Sequence, residues 1–163
     1  MPGEPYPVDD GRGVRIEPCT LHALEEWAAL RHALWPEAPV QDHHSEAAAM
    51  LWEQKKAVAF LVRLPDGTAA GFAEAALRYD YVNGCDTSPV AFLEGIYVKP
   101  EHRNRGLARL LCRAVENWAR RLGCCEFASD VLLDNAASQM MHKALGFEET
   151  ERVVCYRKPL SAG

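Results

Sequence analysis

No apolar run among these 163 residues reaches the roughly 18 to 20 needed to cross a bilayer, so no membrane span is expected. The opening MPGEPYPVDDGRG has neither a basic end nor an apolar stretch, so no secretory signal is expected and the protein reads as cytoplasmic. An excess of positive charge is also missing. A net charge of −5 and a pI near 5.7 argue against a nucleic-acid partner, which would need a basic footprint to displace counterions. Six cysteines, Cys19, Cys85, Cys112, Cys124, Cys125 and Cys155, form no CxxC and show no zinc spacing, so neither a metal site nor a disulfide framework is expected. They read as reduced, mostly buried thiols. Asp42, His43 and His44 are adjacent rather than convergent and mark the start of a helix, not a metal site. Internal repeats, low-complexity tracts and linkers are absent.

With 48% apolar and 25% charged residues, the chain suits one globular domain, residues 14–163, behind a flexible tail of residues 1–13 rich in Pro, Gly and Asp. Val14 to Pro18 alternates like a strand, and Thr20 caps a helix carrying Leu24, Trp27, Leu30 and Leu34 up to Pro36. A second helix follows Asp42 and runs through Met50 and Trp52. Ala57 to Leu64 and Thr68 to Leu77 read as a hairpin across Pro65–Gly67. The loop from Arg78 to Pro89 is too long for a tight turn and suits a lid or a wall. Ala91 to Lys99 is a strand. Leu107, Leu111, Ala114, Val115 and Trp118 stripe a long helix ended by Gly123, and then come strand Glu126–Val131, helix Asn135–Leu145 and a last strand Thr150–Lys158. This order gives a three-layer α/β domain with a mixed sheet. The crossover through the long helix makes its two flanking strands parallel neighbours, with a ligand crevice at their carboxyl ends.

Charge is unevenly spread: nine acids and four bases lie between Pro36 and Glu94, but seven bases and two acids between Lys99 and Arg121. The first stretch suits a cationic ligand and the second an anion, unless both are only solvated faces. RNRGLA, at residues 103–108, favours the anion. Gly106 and Ala108 let a backbone come close, the helix after them presents free N–H groups at its positive end, and Arg103, Arg105 and Arg109 surround it. The segment is neither a Walker loop nor GxGxxG.

FLEGIYVKPEHRNRGLARLL resembles the acetyl-CoA signature of the GCN5-related N-acetyltransferases, whose Q/R-x-x-G-x-G/A is met by Arg103, Gly106 and Ala108. The resemblance implies a single-domain, mixed, mostly antiparallel sheet splayed between two parallel strands and flanked by helices. It implies acetyl-CoA as co-substrate and no metal. The pantetheine would pair with Ile96, Tyr97 and Val98, and the pyrophosphate with the amides of Asn104, Arg105, Gly106, Leu107, Ala108 and Arg109. The DN…GF helix is met by Asp134, Asn135, Gly146 and Phe147, with Asn135 on the pantetheine arm. His142 stands where this family often has a tyrosine that protonates the departing thiolate; a helical histidine can donate that proton or be a satisfied structural group.

YVNGCDTSPVAFLEGIYV, CCEFASD and LGFEETERVVCYRK together are similar to the bacterial aminoglycoside 6′-N-acetyltransferases, and that likeness covers nearly the whole chain after the tail. It implies acetyl transfer to the 6′-amine of a polycationic drug, and hence resistance. Trp35, Tyr81, Glu94, Asp130 and Glu151 would line the drug site, and Asp130, Glu94, Tyr81 and His142 form the catalytic set. The residues themselves agree. Glu94 lies mid-strand where an apolar residue belongs, and Asp130 ends the neighbouring strand, so the two carboxylates can grip an ammonium. An amine must lose a proton to attack: Asp130 is the preferred base, Glu94 its partner or a water-mediated alternative. Relatives are commonly dimers, and the apolar VVCY strand could pair across chains, so a homodimer is expected. The competing readings are an enzyme of the same fold acting on a polyamine or protein amino terminus, and a non-catalytic CoA-binding domain.

Overall fold

The computed structural model describes residues 8–53 and 56–161. Its frame is a six-stranded sheet in the order β1 (Val8–Asp9), β2 (Arg15–Pro18), β3 (Ala57–Arg63), β4 (Ala69–Arg78), β5 (Val90–Val98) and β6 (Phe127–Ser129). Every neighbouring pair is antiparallel except β5 and β6, so the sheet is mixed and mostly antiparallel, as expected. β3 reads AVAFLVR because helices cover both faces of the sheet, and such strands need no polar alternation. Phe60 and Val62 pack toward α3 (Leu107–Arg121), whereas Ala59 and Leu61 meet α1 (Leu24–Leu34) and α2 (Val40–Met50).

The stripe on α3 is the firmest link in this packing. Leu107, Leu111, Ala114, Val115 and Trp118 are all buried, and each large apolar side chain removed from water contributes ~1.5–3 kcal/mol. The helix leaves the sheet in a left-handed turn at Gly123. A short 3-10 turn, Leu21–Ala23, precedes α1, and Thr20 makes no side-chain cap bond there. α2 starts after Pro39, earlier than expected, which puts Asp42 in its first turn beside the positive helix end. Trp52 falls in the 3-10 turn that follows.

Four expectations need correction. Thr150–Lys158 is not a strand: residues 147–161 have no regular structure, because among the described residues no strand supplies a ladder for them. β6 is three residues long rather than six, since its pairing with β5 stops at Leu93. Val8 and Asp9, within the expected tail, pair with Ile16 and Arg15; Met1–Pro7 lie outside the described residues. Of the cysteines, Cys19, Cys112 and Cys124 are buried, half of the set rather than most of it.

Candidate active site

β5 changes phase in its middle. Glu74 of β4 faces Gly95 and Ala75 faces Leu93, so Glu94 is the extra residue of a β-bulge. Ala91 and Leu93 pack toward α3 before the bulge, and Ile96 and Val98 do so after it. The inserted residue therefore escapes the core, which is how a carboxylate stands mid-strand without being buried. On the other side of β5, pairing with β6 runs through Ala91–Phe127, Phe92–Ala128 and Leu93–Ser129 and then ends. From Glu94 to Val98 the strand has no β6 partner, so the two parallel strands part at the bulge. Asp130 follows Ser129, the register partner of Leu93, and so stands level with Glu94 at the first step of the opening.

The two acids differ in their company. Glu94 is held by Arg78, with contacts of 3.0 and 3.1 Å from Nη2 and 3.3 Å from Nε. The Arg78 guanidinium also lies 3.5 Å from the centre of the Phe92 ring. Asp130 is exposed at the mouth of the opening. Behind it, His142 Nδ1 lies 2.8 Å from the Ser138 carbonyl oxygen and Nε2 lies 2.8 Å from Ser129 Oγ. A carbonyl only accepts, so Nδ1 carries a proton toward Ser138. His142 thus ties α4 (Ala136–Ala144) to the last paired residue of β6.

The phosphate-type loop lies at the far end of β5. Asn104 and Gly106 both have left-handed backbone, φ 61° and 78°. Gly106 is the N-cap of α3, has no side chain to cover the first-turn amides, and a Cβ there would meet nothing within 4 Å. No acid lies in that first turn, so the positive helix end faces open space. The arginines divide their work. Arg103 donates from Nε to the Val98 carbonyl at 2.8 Å, fixing the loop to the strand end. Arg109 donates to the Ala144 carbonyl at 2.6 Å, joining α3 to α4. Arg105 is exposed, beside a groove of about 510 Å³ that it lines with Arg12, Asp66 and Asn104. Asn135 caps α4 by accepting from Ser138 N at 3.0 Å.

On the other face of β5, Trp35 ends α1 and rests on Gly95, next to Glu94. Under it, the Glu74 carboxylate is bound by Trp27 Nε1 at 2.7 Å and by Arg31 Nη1 at 2.6 Å, and Arg31 also pairs with Glu46. Burial pushes the Glu74 carboxyl above its ordinary value, against the pull of Arg31. Among the described residues three buried side-chain nitrogens have no hydrogen-bond partner, Arg31 Nε, His43 Nδ1 and His102 Nδ1, each at a cost of ~1–3 kcal/mol.

The 79–89 loop is a built wall rather than a loose lid. Val82 is buried with Val90 and Phe92, while Tyr79 and Tyr81 remain exposed. Glu126 accepts from Asp86 N at 2.9 Å, from Thr87 N at 2.7 Å and from the Thr87 hydroxyl. Those bonds, that of the Thr87 side chain foremost, hold its carboxyl below the ordinary value. Glu151 is exposed on the irregular carboxyl-terminal segment. Sequence reasoning missed Arg78, Glu74 and Glu126. Only Glu74 carried a local signal, a single acid inside AAGFAEAAL; the other two act on partners 16 and 39 or 40 residues away.

Known proteins are similar to this chain in sequence and fold. Residues 27–147 match the acetyltransferase (GNAT) family. An aminoglycoside N(6′)-acetyltransferase type 1 of Serratia marcescens is 51% identical over 142 residues, 87% of this chain and 97% of that one. One of Acinetobacter baumannii is 47% identical over 145 residues, 89% of this chain and 98% of that one. Among solved structures, AAC(6′)-Iy in complex with the bisubstrate analog CoA-S-monomethyl-acetylneamine superposes with a TM-score of 0.85 at 47% identity, covering 90% of this chain and 99% of that one. AAC(6′)-Iy in complex with CoA gives a TM-score of 0.86 at 47% identity, with 90% and 95% covered. The chain belongs to the GNAT acetyltransferases, in the aminoglycoside N(6′)-acetyltransferase family.

Proposed function

We propose that this protein transfers the acetyl group of acetyl-CoA directly to the 6′-amine of an aminoglycoside antibiotic, in a ternary complex, and so confers resistance. One observation carries the reading: β5 and β6 part at the Glu94 bulge, with Asp130 level with it and the RNRGLA turn at the strand's far end. The relatives named above support the substrate class.

The residues present fit acetyl-CoA. The open amides at Gly106 and the left-handed Asn104 suit a pyrophosphate, with Asn104, Arg105, Leu107, Ala108 and Arg109 completing the turn around it. Ile96, Tyr97 and Val98 have backbone groups unpaired by β6, so they suit the amide arm of pantetheine. Asn135, at the head of α4, is the candidate for the pantetheine arm. When bound, acetyl-CoA supplies an activated thioester. The amides near Val98 polarise its carbonyl and hold the oxyanion.

Asp130 takes the proton from the incoming ammonium, because Glu94 is already engaged by Arg78. Glu94 then binds the amine or a water beside it. Trp35 and Tyr81 give the drug apolar and hydroxyl surface, and Glu151 adds a carboxylate. His142 holds Ser129 at the last rung of the ladder; thiolate protonation from it requires a proton on Nε2, and a kcat–pH profile of His142→Gln reports that role. Residues 14–163 act as one catalytic domain. We place the protein in the cytoplasm as a homodimer without nucleic-acid or membrane partners. Its net charge of −5 argues against a nucleic-acid partner, and among the described residues no helix is long and apolar enough to cross a membrane. The exposed Val153, Val154 and Tyr156 support the dimer.

Thiol release from acetyl-CoA, followed with a kanamycin-like drug and with its 6′-hydroxyl congener, tests the assignment. Turnover with the amine alone is expected. Equal response to both, or to neither, removes the 6′-amine reading; CoA binding without turnover on any amine would favour a non-catalytic domain.

A further inference from the structure

Two of the three buried nitrogens without partners belong to side chains that lie against one ring, that of Trp35. The Arg31 guanidinium carbon is 5.0 Å from its centre. The His43 imidazole lies 6.3 Å from it, nearly parallel at 22°, and its Nε2 donates to the Trp35 carbonyl oxygen at 2.8 Å. Phe72 meets the ring edge-on at 6.1 Å. On the strand side only glycine fits, since a Cβ on Gly95 would stand 2.5 Å from Trp35 Cη2. Arg31 cannot drift, because the buried Glu74 carboxylate anchors it from β4.

This is more polar chemistry than packing requires. His43 is 2% exposed, and an apolar side chain of like volume would fill its place without leaving a stranded Nδ1. What the imidazole adds is a directed bond to the Trp35 backbone and a flat surface along the indole. The α1–α2 turn, the β4 ion pair and the β5 bulge thereby converge on one aromatic plane beside Glu94.

We infer that His43 and Gly95 are positioning residues that fix the Trp35 ring as a rigid floor for the aminoglycoside, so that the drug's ring is presented to the Glu94–Asp130 opening in one orientation. The inference rests on the reading that Trp35 lines the drug site. A preformed aromatic surface loses little freedom on binding, and a loosened one loses more, so the deficit falls on drug binding. Acetyl-CoA would be held through Ile96–Val98 and the α3 turn, so its KM is expected not to depend on the ring.

Steady-state kinetics of wild-type protein and of Trp35→Ala, His43→Leu, His43→Gln and Gly95→Ala test this, with both KM values and thermal midpoints measured. His43→Leu keeps the packing and removes the bond; a rise of about fivefold or more in aminoglycoside KM is expected, with acetyl-CoA KM unchanged and no loss of Tm. His43→Gln restores a donor and should recover most of the affinity. Gly95→Ala, which displaces the ring from the opposite side, should reproduce the His43→Leu split and serves in its place if that variant does not fold. Wild-type aminoglycoside KM in both His43→Leu and Gly95→Ala, alongside a raised KM in Trp35→Ala, overturns the positioning role and leaves the Trp35 site standing. An unchanged aminoglycoside KM in Trp35→Ala overturns both together.

Discussion

Two carboxylates level with each other across parting strands would ordinarily compete for one role, and here their neighbours separate them. Arg78 holds Glu94 through three contacts, so the Glu94 oxygens are already committed to a cation. Asp130 is exposed and follows the last rung of β6. Asp130→Asn keeps the shape and removes the basicity, so kcat is expected to fall about a hundredfold or more, the range of a lost general base, while both KM values hold. A kcat equal to wild type would hand the proton to Glu94 or to water. The thiols allow a separate check of burial. Burial pushes the Cys112 thiol up to about 12, so it stays protonated and unreactive at neutral pH. In the native protein a maleimide should label the exposed Cys125 and Cys155, while Cys19, Cys112 and Cys124 label only on unfolding; rapid labelling of Cys112 would contradict its place under α3.

At the scale of elements, the α3 turn and the wall loop rest on different backbone devices. Gly106 has φ 78°; an L-residue forced there costs ~1–2 kcal/mol, or about 5- to 30-fold in an equilibrium constant. Gly106→Ala should lower Tm and raise acetyl-CoA KM by a factor in that range, with aminoglycoside KM unmoved. The wall responds to pH through Glu126. Its folded-state carboxyl lies below the ordinary value, so its bonds to Asp86 and Thr87 stabilise the fold above the unfolded carboxylate pKa, near 4.3, and that contribution is lost as pH falls through the depressed value. The Tm difference between wild type and Glu126→Gln should therefore shrink on acidification below about pH 5, and a difference independent of pH would refute the latch. Local pattern revealed most of this architecture. β3, β4, β5 and α3 begin and end within about a residue or two of the limits read from periodicity and from Pro and Gly stops, the usual scatter of such boundaries. RNRGLA was legible because its six residues do their work together. The bulge was not, since it is a mismatch of register between two strands, and Arg78 meets Glu94 only once that register is set.

The whole molecule is lopsided. From Cys125 to Ser161 no residue is buried, α4 included, whereas α1 and α3 are locked into the core. β6 is the last strand of the sheet, and its outer edge pairs with nothing among the described residues. Thr150 still reaches the wall loop, its Oγ1 lying 2.1 Å from where a Cβ on Gly84 would be. Beyond it Val153, Val154, Tyr156 and Leu160 are 59–92% exposed, and burying each would contribute ~1.5–3 kcal/mol. A contiguous apolar stretch without a ladder and a strand edge without a neighbour would satisfy each other in the proposed dimer, and such a pairing would close the set with two-fold symmetry. The proposed dimer would give Thr150–Lys158 the neighbour that the described residues do not supply. Full-length protein is expected to sediment as a dimer, with slow amide exchange over residues 151–158, and a chain ending at Thr150 as a monomer. Should the shortened chain fail to fold, Val154→Asp and Tyr156→Glu, which charge the same arm, should dissociate the dimer. A full-length protein that stays monomeric at high concentration, or a shortened one that stays dimeric, would mean that the arm's apolar face has some other partner.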